Sequence, residues 1–255
     1  MDDSGIRRLS EPPRFVLSDE VSSAGTAKVA GADLHHMRHV LRLLPGAPVV
    51  LVDGLGTEYH GQIKEFHREF ALIEVLGKRQ RARLAQTTLG VAMIKGWRMD
   101  FLVEKAAELG ASDLWPLRCA RSVVREAGAE RVQRWRRLAS AAAKQSLSPF
   151  IMEIRPACLF AEFLERTQGA DFAAICHQGA PPLGLLARQR AFATAVVVCG
   201  PEGDFTAQEL ESATRAGFVE AGLGPHRLRT ETAALAALSV LADASATAIV
   251  SGGKP

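Results

Sequence analysis

The sequence lacks the features that mark a membrane-spanning, secreted or metal-binding protein. It contains no run of about 18 uncharged apolar residues, so we expect no membrane span. Residues 1–13 carry charges and prolines without an apolar leader core, so we expect no signal peptide. The four cysteines stand far apart and form no Cys-x-x-Cys pair, which argues against zinc and against a disulfide framework. These absences favour a cytoplasmic protein that works without metal.

Several catalytic and nucleotide-binding signatures are also missing. Gly200-Pro201-Glu202-Gly203 has neither the lysine of a P-loop nor the three-glycine spacing of a dinucleotide fingerprint. No Ser-His-Asp or Cys-His arrangement announces a covalent nucleophile. His35 and His39 would share a helix face, but no further ligand type at suitable spacing accompanies them and His36. A solvated or RNA-facing surface is therefore favoured over a metal site there.

Apolar content and clustered positive charge are what the sequence does have. Its 255 residues, 47% of them hydrophobic, suit one large domain or two smaller ones. The net charge of +3 is only mildly basic, but arginine and lysine gather in clusters. The clusters comprise Arg7, Arg8 and Arg14; Lys78, Arg79, Arg81 and Arg83; and Arg131, Arg134, Arg136 and Arg137. Such clusters suit phosphates, and the alternative is a solvated surface or linker.

The apolar pattern predicts two domains. Residues 1–77 read as short strands bounded by Gly, Pro or Asp, with one helix that Asp33 would cap and Pro45-Gly46 would end. We expect a small barrel there, and a boundary in the basic stretch of residues 77–83. In residues 84–255 strands and helices alternate, which predicts a mostly parallel sheet covered on both faces. The last helix, over about residues 231–250, is apolar nearly all round, so it should be buried in the core or against a second subunit.

Two strand-to-helix junctions, residues 199–205 and 223–233, carry unusual polar residues. Each follows a strand-like run and turns through Gly and Pro into a helix. Because such junctions build pockets at the strand ends of an α/β sheet, they predict a ligand site. Taken alone, however, the Gly-Pro-Glu-Gly stretch also fits a plain turn. The polar side chains placed where a ligand would lie are Glu202, Arg227, Arg229 and Glu231.

A third such junction is Lys95-Gly96-Trp97-Arg98. It follows a predicted strand and opens a helix. Its cations and Trp97 suit nucleic acid, through phosphate pairing and base stacking. The alternative is a surface loop with Trp97 partly packed.

These motifs together resemble the RsmE ribosomal RNA methyltransferases of the SPOUT superfamily. The resemblance rests first on Gly200-Pro201-Glu202-Gly203, Leu223-Gly224-Pro225 and residues 228–233. It extends to residues 99–110, which are similar to the first helix of that family's catalytic domain, to Lys144-Gln145-Ser146, and to residues 39–43 and 52–54, which are similar to its PUA-like RNA-binding domain. Nearly the whole chain is covered.

The resemblance implies a fold, a reaction and a set of site residues. It implies an α/β trefoil knot with a mostly parallel sheet, a small N-terminal PUA-like β-barrel, a homodimer, and no metal. It implies methylation of N3 of one uridine in the decoding region of 16S ribosomal RNA, forming 3-methyluridine, with S-adenosylmethionine as methyl donor. The implied cofactor-binding residues are His177, Cys199, Gly200, Pro201, Glu202, Gly203, Leu223, Gly224, Leu228, Thr230, Thr232 and Ala233. The expected RNA-binding residues are Arg7, Arg8, Arg14, Lys95 and Arg98.

The chemistry of this reaction suggests roles for three residues. Uracil N3–H is an imide that ionises only at alkaline pH, so transfer requires a base and stabilisation of the anion on O2 and O4. Arg229 is the expected guanidinium, and Glu231 or Glu202 the expected base. The alternative for Glu231 is that it favours its helix N-terminus and pairs with an arginine.

Two departures from the family pattern keep other functions open. Asp204 stands where the family usually has a second glycine, and Gln145-Ser146-Leu147-Ser148 replaces the usual Gln-Ser-Gly-Arg, which removes an arginine expected to contact RNA. One alternative is a SPOUT methyltransferase acting on transfer RNA or on a ribose 2′-hydroxyl. The other is a non-catalytic RNA-binding or ribosome-assembly factor.

Overall fold

The computed structural model describes residues 11–124, 127–189 and 191–252, with side chains described up to residue 246. Arg7 and Arg8, which were predicted to bind RNA, therefore lie outside the described residues. The chain divides into two compact units, Met1–Ala82 and Arg83–Pro255. Each unit has a core of its own, so each is described by itself.

The N-terminal unit is a five-stranded sheet with the order β1-β3-β4-β5-β2. The first pair is parallel and the others are antiparallel. Inward-facing residues such as Leu51 and Ile63 pack with Met37 of a short helical segment. The strands are β1 (Arg14–Val16), β2 (Thr26–Ala30), β3 (Pro48–Val52), β4 (Thr57–Phe66) and β5 (Phe70–Gln80). The helical segment is α1 (Gly31–His35), continued by a π-helical turn over His36–Val40.

Two local predictions for this unit were wrong. The helix starts at Gly31, so Asp33 lies inside its first turn, where Oδ2 accepts a hydrogen bond from Val16 N at 2.9 Å. The helical segment ends at Val40, before the predicted stop at Pro45-Gly46. The division of the chain after Ala82 falls within the basic stretch of residues 77–83, where β5 continues to Gln80, opposite Thr57. Backbone pairing with β4 thus extends a strand whose side chains are exposed and charged.

The C-terminal unit is built on a seven-stranded sheet with the order β12-β10-β11-β6-β7-β8, with β9 also paired to β7. All of these pairs are parallel, which confirms the predicted mostly parallel α/β fold. The strands are β6 (Gln86–Ala92), β7 (Asp113–Arg118), β8 (Glu153–Ile154), β9 (Cys158–Leu159), β10 (Phe172–Cys176), β11 (Thr194–Cys199) and β12 (Val219–Ala221).

Helices cover both faces of this sheet. Along β11, Val197 faces a core shared with α2, α3, α5 and α7, whereas Val196 and Val198 face a second core shared with α4 and α6. This alternation is the period-2 signature of a strand buried on both sides. The helices are α2 (Trp97–Glu108), α3 (Ala129–Gln145), α4 (Phe160–Arg166), α5 (Leu183–Ala187), α6 (Ala207–Arg215) and α7 (Thr230–Gly252).

The apolar helix α7 packs one face into the first core. Ala234, Ala237, Leu238 and Leu241 are buried, while its opposite side presents small or polar residues such as Ser239. Packing against the first core therefore explains why the inward-facing side of α7 is apolar. Among the described helices, none combines the length and apolarity that a membrane crossing requires.

A tight crossing follows β12 and positions the loops at the sheet edge. Gly222 N donates to Pro181 O at 2.7 Å, and Gly222 O accepts from Leu183 N at 2.9 Å. A Cβ at Gly222 would lie 2.3 Å from Ala180 O, so only glycine allows this approach. The crossing brings the chain after β12 beside the loop after β10. The trefoil knot itself stays a prediction.

Candidate active site

A pocket opens at the carboxyl ends of β10, β11 and β12, as expected for a parallel sheet. Its empty space is about 630 Å³, counting the part open to solvent. The lining residues are Cys176, His177, Gln178, Cys199, Gly200, Pro201, Glu202, Asp204, Leu223, Gly224, His226, Arg227, Leu228, Thr230 and Ala233. Most of the cofactor-binding residues predicted from sequence meet here; Gly203 and Thr232 do not line the pocket.

The first pocket loop is held by hydrogen bonds from the second. Thr230 Oγ1 donates to Gly200 O at 2.9 Å, and Arg227 Nη2 donates to Glu202 O at 2.6 Å. Gly200 itself packs against Phe205, whose ring would lie 2.9 Å from an added Cβ. The two segments that the sequence singled out therefore form one rigid frame, in which Arg227 serves the loop backbone.

Asp204 adopts a backbone conformation that favours glycine. Its φ is +62°, in the left-handed region that Asp tolerates better than most residues. Its N–H donates to Pro201 O at 2.9 Å, and its Oδ1 accepts from Phe205 N at 2.8 Å. The loop then enters α6 through a capping box of Thr206 and Glu209, which the Thr-x-x-Glu spacing of the sequence predicts.

Two thiols form the apolar floor of the pocket. Cys176 and Cys199 are direct neighbours at the ends of β10 and β11. Contact with Cys176 and full burial both raise the pKa of the Cys199 thiol well above its ordinary value. A buried neutral thiol is a poor nucleophile, so these cysteines act as small apolar wall residues.

Arg98, in the first turn of α2, links carboxylates of the two pocket segments. Its Nη2 lies 3.0 Å from Glu202 Oε1, and its Nη1 lies 3.6 Å from Glu231 Oε2. Glu231 is only 7% exposed, and within the described residues its Oε2 is buried without a hydrogen-bond partner. Such an oxygen costs free energy unless it is satisfied. Glu231 thus carries a buried acceptor that no hydrogen bond satisfies within the described residues.

Comparison with known proteins agrees with this geometry. Residues 80–242 match the RNA methyltransferase domain family, and residues 29–76 match the RNA methyltransferase PUA domain family. The chain belongs to the RNA methyltransferase family.

Individual relatives of this methyltransferase are similar along most of its length. It is 29% identical to the ribosomal RNA small subunit methyltransferase E of Synechocystis, over 89% of this chain and 76% of that one. It is 27% identical to the protein of the same name from Bacillus subtilis, over 87% of this chain and 91% of that one. The resemblance to the RsmE family predicted from the loops is thereby confirmed.

A solved relative contains the predicted cofactor. The crystal structure of ribosomal RNA small subunit methyltransferase E from Neisseria gonorrhoeae, bound to S-adenosylmethionine, superposes with a TM-score of 0.80. It is 29% identical and covers 94% of this chain and 98% of its own. This confirms, for the family, both the enzyme class and the cofactor.

The three residues predicted to be catalytic are not placed alike in the methyltransferase. Glu202 and Glu231 converge on Arg98. Arg229 is exposed directly before α7, lies outside the pocket lining, and its guanidinium makes no hydrogen bond or ion pair within the described part of the chain. Its carbonyl accepts from Ala233 N at 2.8 Å. The predicted role of Arg229 stays a prediction, while Arg98 is the arginine that contacts both Glu202 and Glu231.

The predicted RNA-binding residues also differ in their surroundings. Lys95 is exposed just before α2, as an RNA contact requires. Arg14 has a largely buried side chain whose Nη1 lies 2.8 Å from Glu58 Oε1. Its charge is used inside its own unit, so the structure gives a phosphate contact at Arg14 no support. Arg98 was expected to contact RNA, and its contacts with Glu202 and Glu231 were not predicted.

Histidines make side-chain contacts in both units. His177 Nε2 lies 2.9 Å from Glu220 Oε2, and its Nδ1 lies 3.0 Å from Gln178 O, which fixes the ring at the pocket wall. In the N-terminal unit the rings of His35 and His39 lie 4.7 Å apart. Among the described residues, no group of three or more His, Cys, Asp or Glu side chains is arranged to hold a metal ion.

Proposed function

We propose that this enzyme binds S-adenosylmethionine in the pocket and methylates N3 of one uridine in the decoding region of 16S ribosomal RNA, forming 3-methyluridine. The observation that carries the proposal is the buried Glu231 Oε2, which lacks a hydrogen bond within the described residues and lies 3.6 Å from Arg98. A base and a fixed cation side by side suit the removal of an imide proton. The names of the relatives support ribosomal RNA of the small subunit as the substrate.

The pocket has the groups that the cofactor requires. Leu223, Leu228 and Ala233 offer apolar contact for an adenine ring, while Glu202 and Asp204 bring negative charge opposite the cofactor's cationic groups. When bound, S-adenosylmethionine supplies a methyl group that is already activated. The work left to the protein is to position the uracil and to remove its proton.

Glu231 is the residue best placed to remove that proton. Its Oε2, which has no hydrogen bond within the described residues, accepts the proton of uracil N3–H. The N3 lone pair would then take the methyl group as its bond to the sulfonium sulfur breaks, which would leave S-adenosylhomocysteine. Glu202 is a weaker candidate, because its side chain is 47% exposed and already accepts a hydrogen bond from Arg98.

Arg98 stabilises the negative charge that passes to the uracil. As Glu231 takes up the proton, its own charge is neutralised and the Arg98 guanidinium faces the anion on O2 or O4. The contact with Glu202 holds the guanidinium in place during this exchange. Arg229, exposed at the start of α7, is proposed as a second cation that approaches the RNA from the rim.

The predicted homodimer belongs to the same proposal. Leu235, Ala236 and Val240 on the flanks of α7 are only partly buried, which leaves apolar area for a second copy. Sedimentation equilibrium measures the molar mass directly, and we expect twice the chain mass.

The test uses small ribosomal subunits from cells that lack the modification. The purified protein is incubated with them and with S-adenosylmethionine labelled in the methyl group, and the RNA is then digested to nucleosides. We expect the label in 3-methyluridine at a single position. Label in transfer RNA or in a ribose-methylated nucleoside would replace the proposal with one of the alternatives. Cofactor binding without any transfer would indicate a binding-only role.

A further inference from the structure

An exposed aromatic pair stands directly beside the candidate active site. Trp97 is 73% exposed and Phe101 is 39% exposed. Their rings meet edge to face, with centroids 6.4 Å apart. Trp97 immediately precedes Arg98, which contacts both Glu202 and Glu231. A large aromatic face is therefore left in solvent one residue from the reacting groups, although burying it would be favourable.

The fold fixes this position. The chain leaves β6 at the carboxyl edge of the sheet and turns at Gly96, whose φ is +65°, so that α2 begins at Trp97. Because Met99 and Leu102 of the same helix are fully buried, the first turn of α2 cannot rotate to hide Trp97 without exposing core residues. The exposed ring is thus held in place by the packing of its own helix.

Exposed cations lie toward the same end of α2 as the aromatic pair. Asp100 of α2 accepts hydrogen bonds from Arg134 Nε at 2.9 Å and from Trp135 Nε1 at 3.0 Å. Later residues of α2 share a groove with later residues of α3, so the two helices run parallel. Arg131, one turn before Arg134, therefore lies toward the same end as Trp97. Lys95 and Arg131 are exposed and form no ion pair within the described part of the chain.

We propose that Trp97 is a stacking platform for an unpaired base next to the methylated uridine, with Lys95 and Arg131 binding the flanking phosphates. The inference rests on the proposed function and adds a second nucleotide-binding position to it. An aromatic face among unpaired cations is the arrangement by which proteins bind single-stranded RNA, because every base has a stackable face and every nucleotide carries a phosphate. The platform selects a target whose neighbouring base is free to leave its own stack.

The test compares three variants in binding to small subunits that lack the modification. Trp97→Ala should weaken binding by roughly 5- to 150-fold, the usual range for loss of one base–aromatic stack. Trp97→Phe should recover most of this loss because it keeps an aromatic face. Leu109→Ala, which truncates an exposed residue at the opposite end of α2, should bind like the wild type. All three should bind S-adenosylmethionine as the wild type does.

The salt dependence of binding separates stacking from ion pairing. Trp97→Ala should leave the slope of log Kd against log salt unchanged, since stacking releases no counterions. Lys95→Ala should reduce that slope by about one unit.

Three results would overturn the inference, each for a separate reason. If the wild type methylates its RNA but Trp97→Ala binds subunits as tightly, the platform does not exist. If Trp97→Ala loses binding together with a change in molar mass, Trp97 contacts a second copy of the chain and not a base. If the wild type methylates no RNA, the proposed function fails first and takes the platform with it.

Discussion

Among the residues that the structure describes, each unit buries one glutamate, and the two glutamates are satisfied to different degrees. Glu58 of the N-terminal unit is 1% exposed, with Arg14 Nη1 at 2.8 Å and Arg81 Nε at 3.6 Å from its carboxylate oxygens. Glu231 of the C-terminal unit has a single arginine, Arg98, at 3.6 Å. Removing a carboxylate from water costs several kcal/mol unless partners compensate. The compensation is extensive at Glu58 and incomplete at Glu231.

The difference shows how a structural carboxylate is told from a functional one. Burial alone raises the pKa of Glu58, but the hydrogen bond from Arg14 and the charges of Arg14 and Arg81 outweigh burial and hold that pKa below its ordinary value. Glu58 is therefore committed to its partners. Glu231 keeps one oxygen without a hydrogen bond in the described part of the chain, which is the reason for proposing it as the base.

The comparison is tested most severely by removing the charge of Glu231. Glu231→Gln should lower the rate of methyl transfer by roughly 100- to 10,000-fold, the usual contribution of a general base. Binding of S-adenosylmethionine should change little, since the loop contacts of Thr230 and Arg227 are untouched. Single-turnover transfer and calorimetric cofactor binding measure the two quantities. Glu202→Gln is the matched control and should lose less activity.

Replacing Arg98 and Arg229 in turn shows which guanidinium stabilises the negative charge on the uracil. Arg98→Gln should lower the transfer rate by roughly 100- to 1,000-fold, comparable to the loss of one donor that stabilises a developing anion. Arg229→Gln should lower it less, because among the described residues Arg98 and not Arg229 contacts Glu202 and Glu231. The same single-turnover assay compares them. If Arg229→Gln proved the more damaging, Arg229 and not Arg98 would be the stabilising cation.

Glu58→Gln should destabilise the protein without a specific effect on catalysis. Removing one partner of a buried pair leaves Arg14 uncompensated, so the free energy of unfolding of the N-terminal unit should fall by about 3 kcal/mol. Urea denaturation measures the loss, and the transfer rate per folded molecule should be unchanged. A variant as stable as the wild type would show that the pair contributes nothing.

The pH dependence of stability gives a second view of Glu58. Because its folded-state pKa lies below the ordinary value of 4.5, its contribution is complete above that pH and is lost as pH falls through the folded-state pKa. The wild type should therefore lose more stability than Glu58→Gln between neutral pH and acid. Equal losses would remove Glu58 as the cause.

Much of this fold follows from local sequence patterns. The apolar pattern predicts a strand over residues 172–176, which are the observed limits of β10. A short, uninterrupted apolar stretch is typical of a strand that is buried on both faces. The capping box at Thr206 and Glu209 follows from spacing alone. In contrast, the apolar pattern predicts β5 only over residues 70–76, whereas the strand continues to Gln80. Its charged end is held by backbone pairing with β4, which side-chain patterns do not record.

The arrangement inside the site was harder to predict. Arg98 and Glu202 are 104 residues apart, and no local rule brings a helix start against a loop at that separation. The second motif predicts Arg229 as the guanidinium that stabilises the uracil anion. In the structure, however, the chain enters α7 so that Thr230 and Glu231 are buried and Arg229 is exposed. Motifs located the pocket, whereas the tertiary packing decided which arginine contacts Glu202 and Glu231.

The smallest expected effect concerns Asp204. Asp204→Asn keeps a side chain that tolerates the left-handed backbone and an oxygen for the bond to Phe205 N, and it removes only the charge. We expect S-adenosylmethionine to bind about 1.5- to 5-fold more weakly, as for the loss of one exposed charge interaction. Unchanged affinity in calorimetry would show that Asp204 serves the backbone alone.

The central claim, that Glu231 removes the proton from uracil N3, is tested most directly by making that proton easier to lose. Small subunits are reconstituted with ribosomal RNA transcribed with 5-fluorouridine, whose N3–H is more acidic because fluorine withdraws electrons. Methyl transfer to these subunits and to uridine-containing subunits is then measured for the wild type and for Glu231→Gln. The account predicts that the fluorinated substrate accelerates the variant far more than the wild type. An equal ratio of rates in both proteins would contradict it.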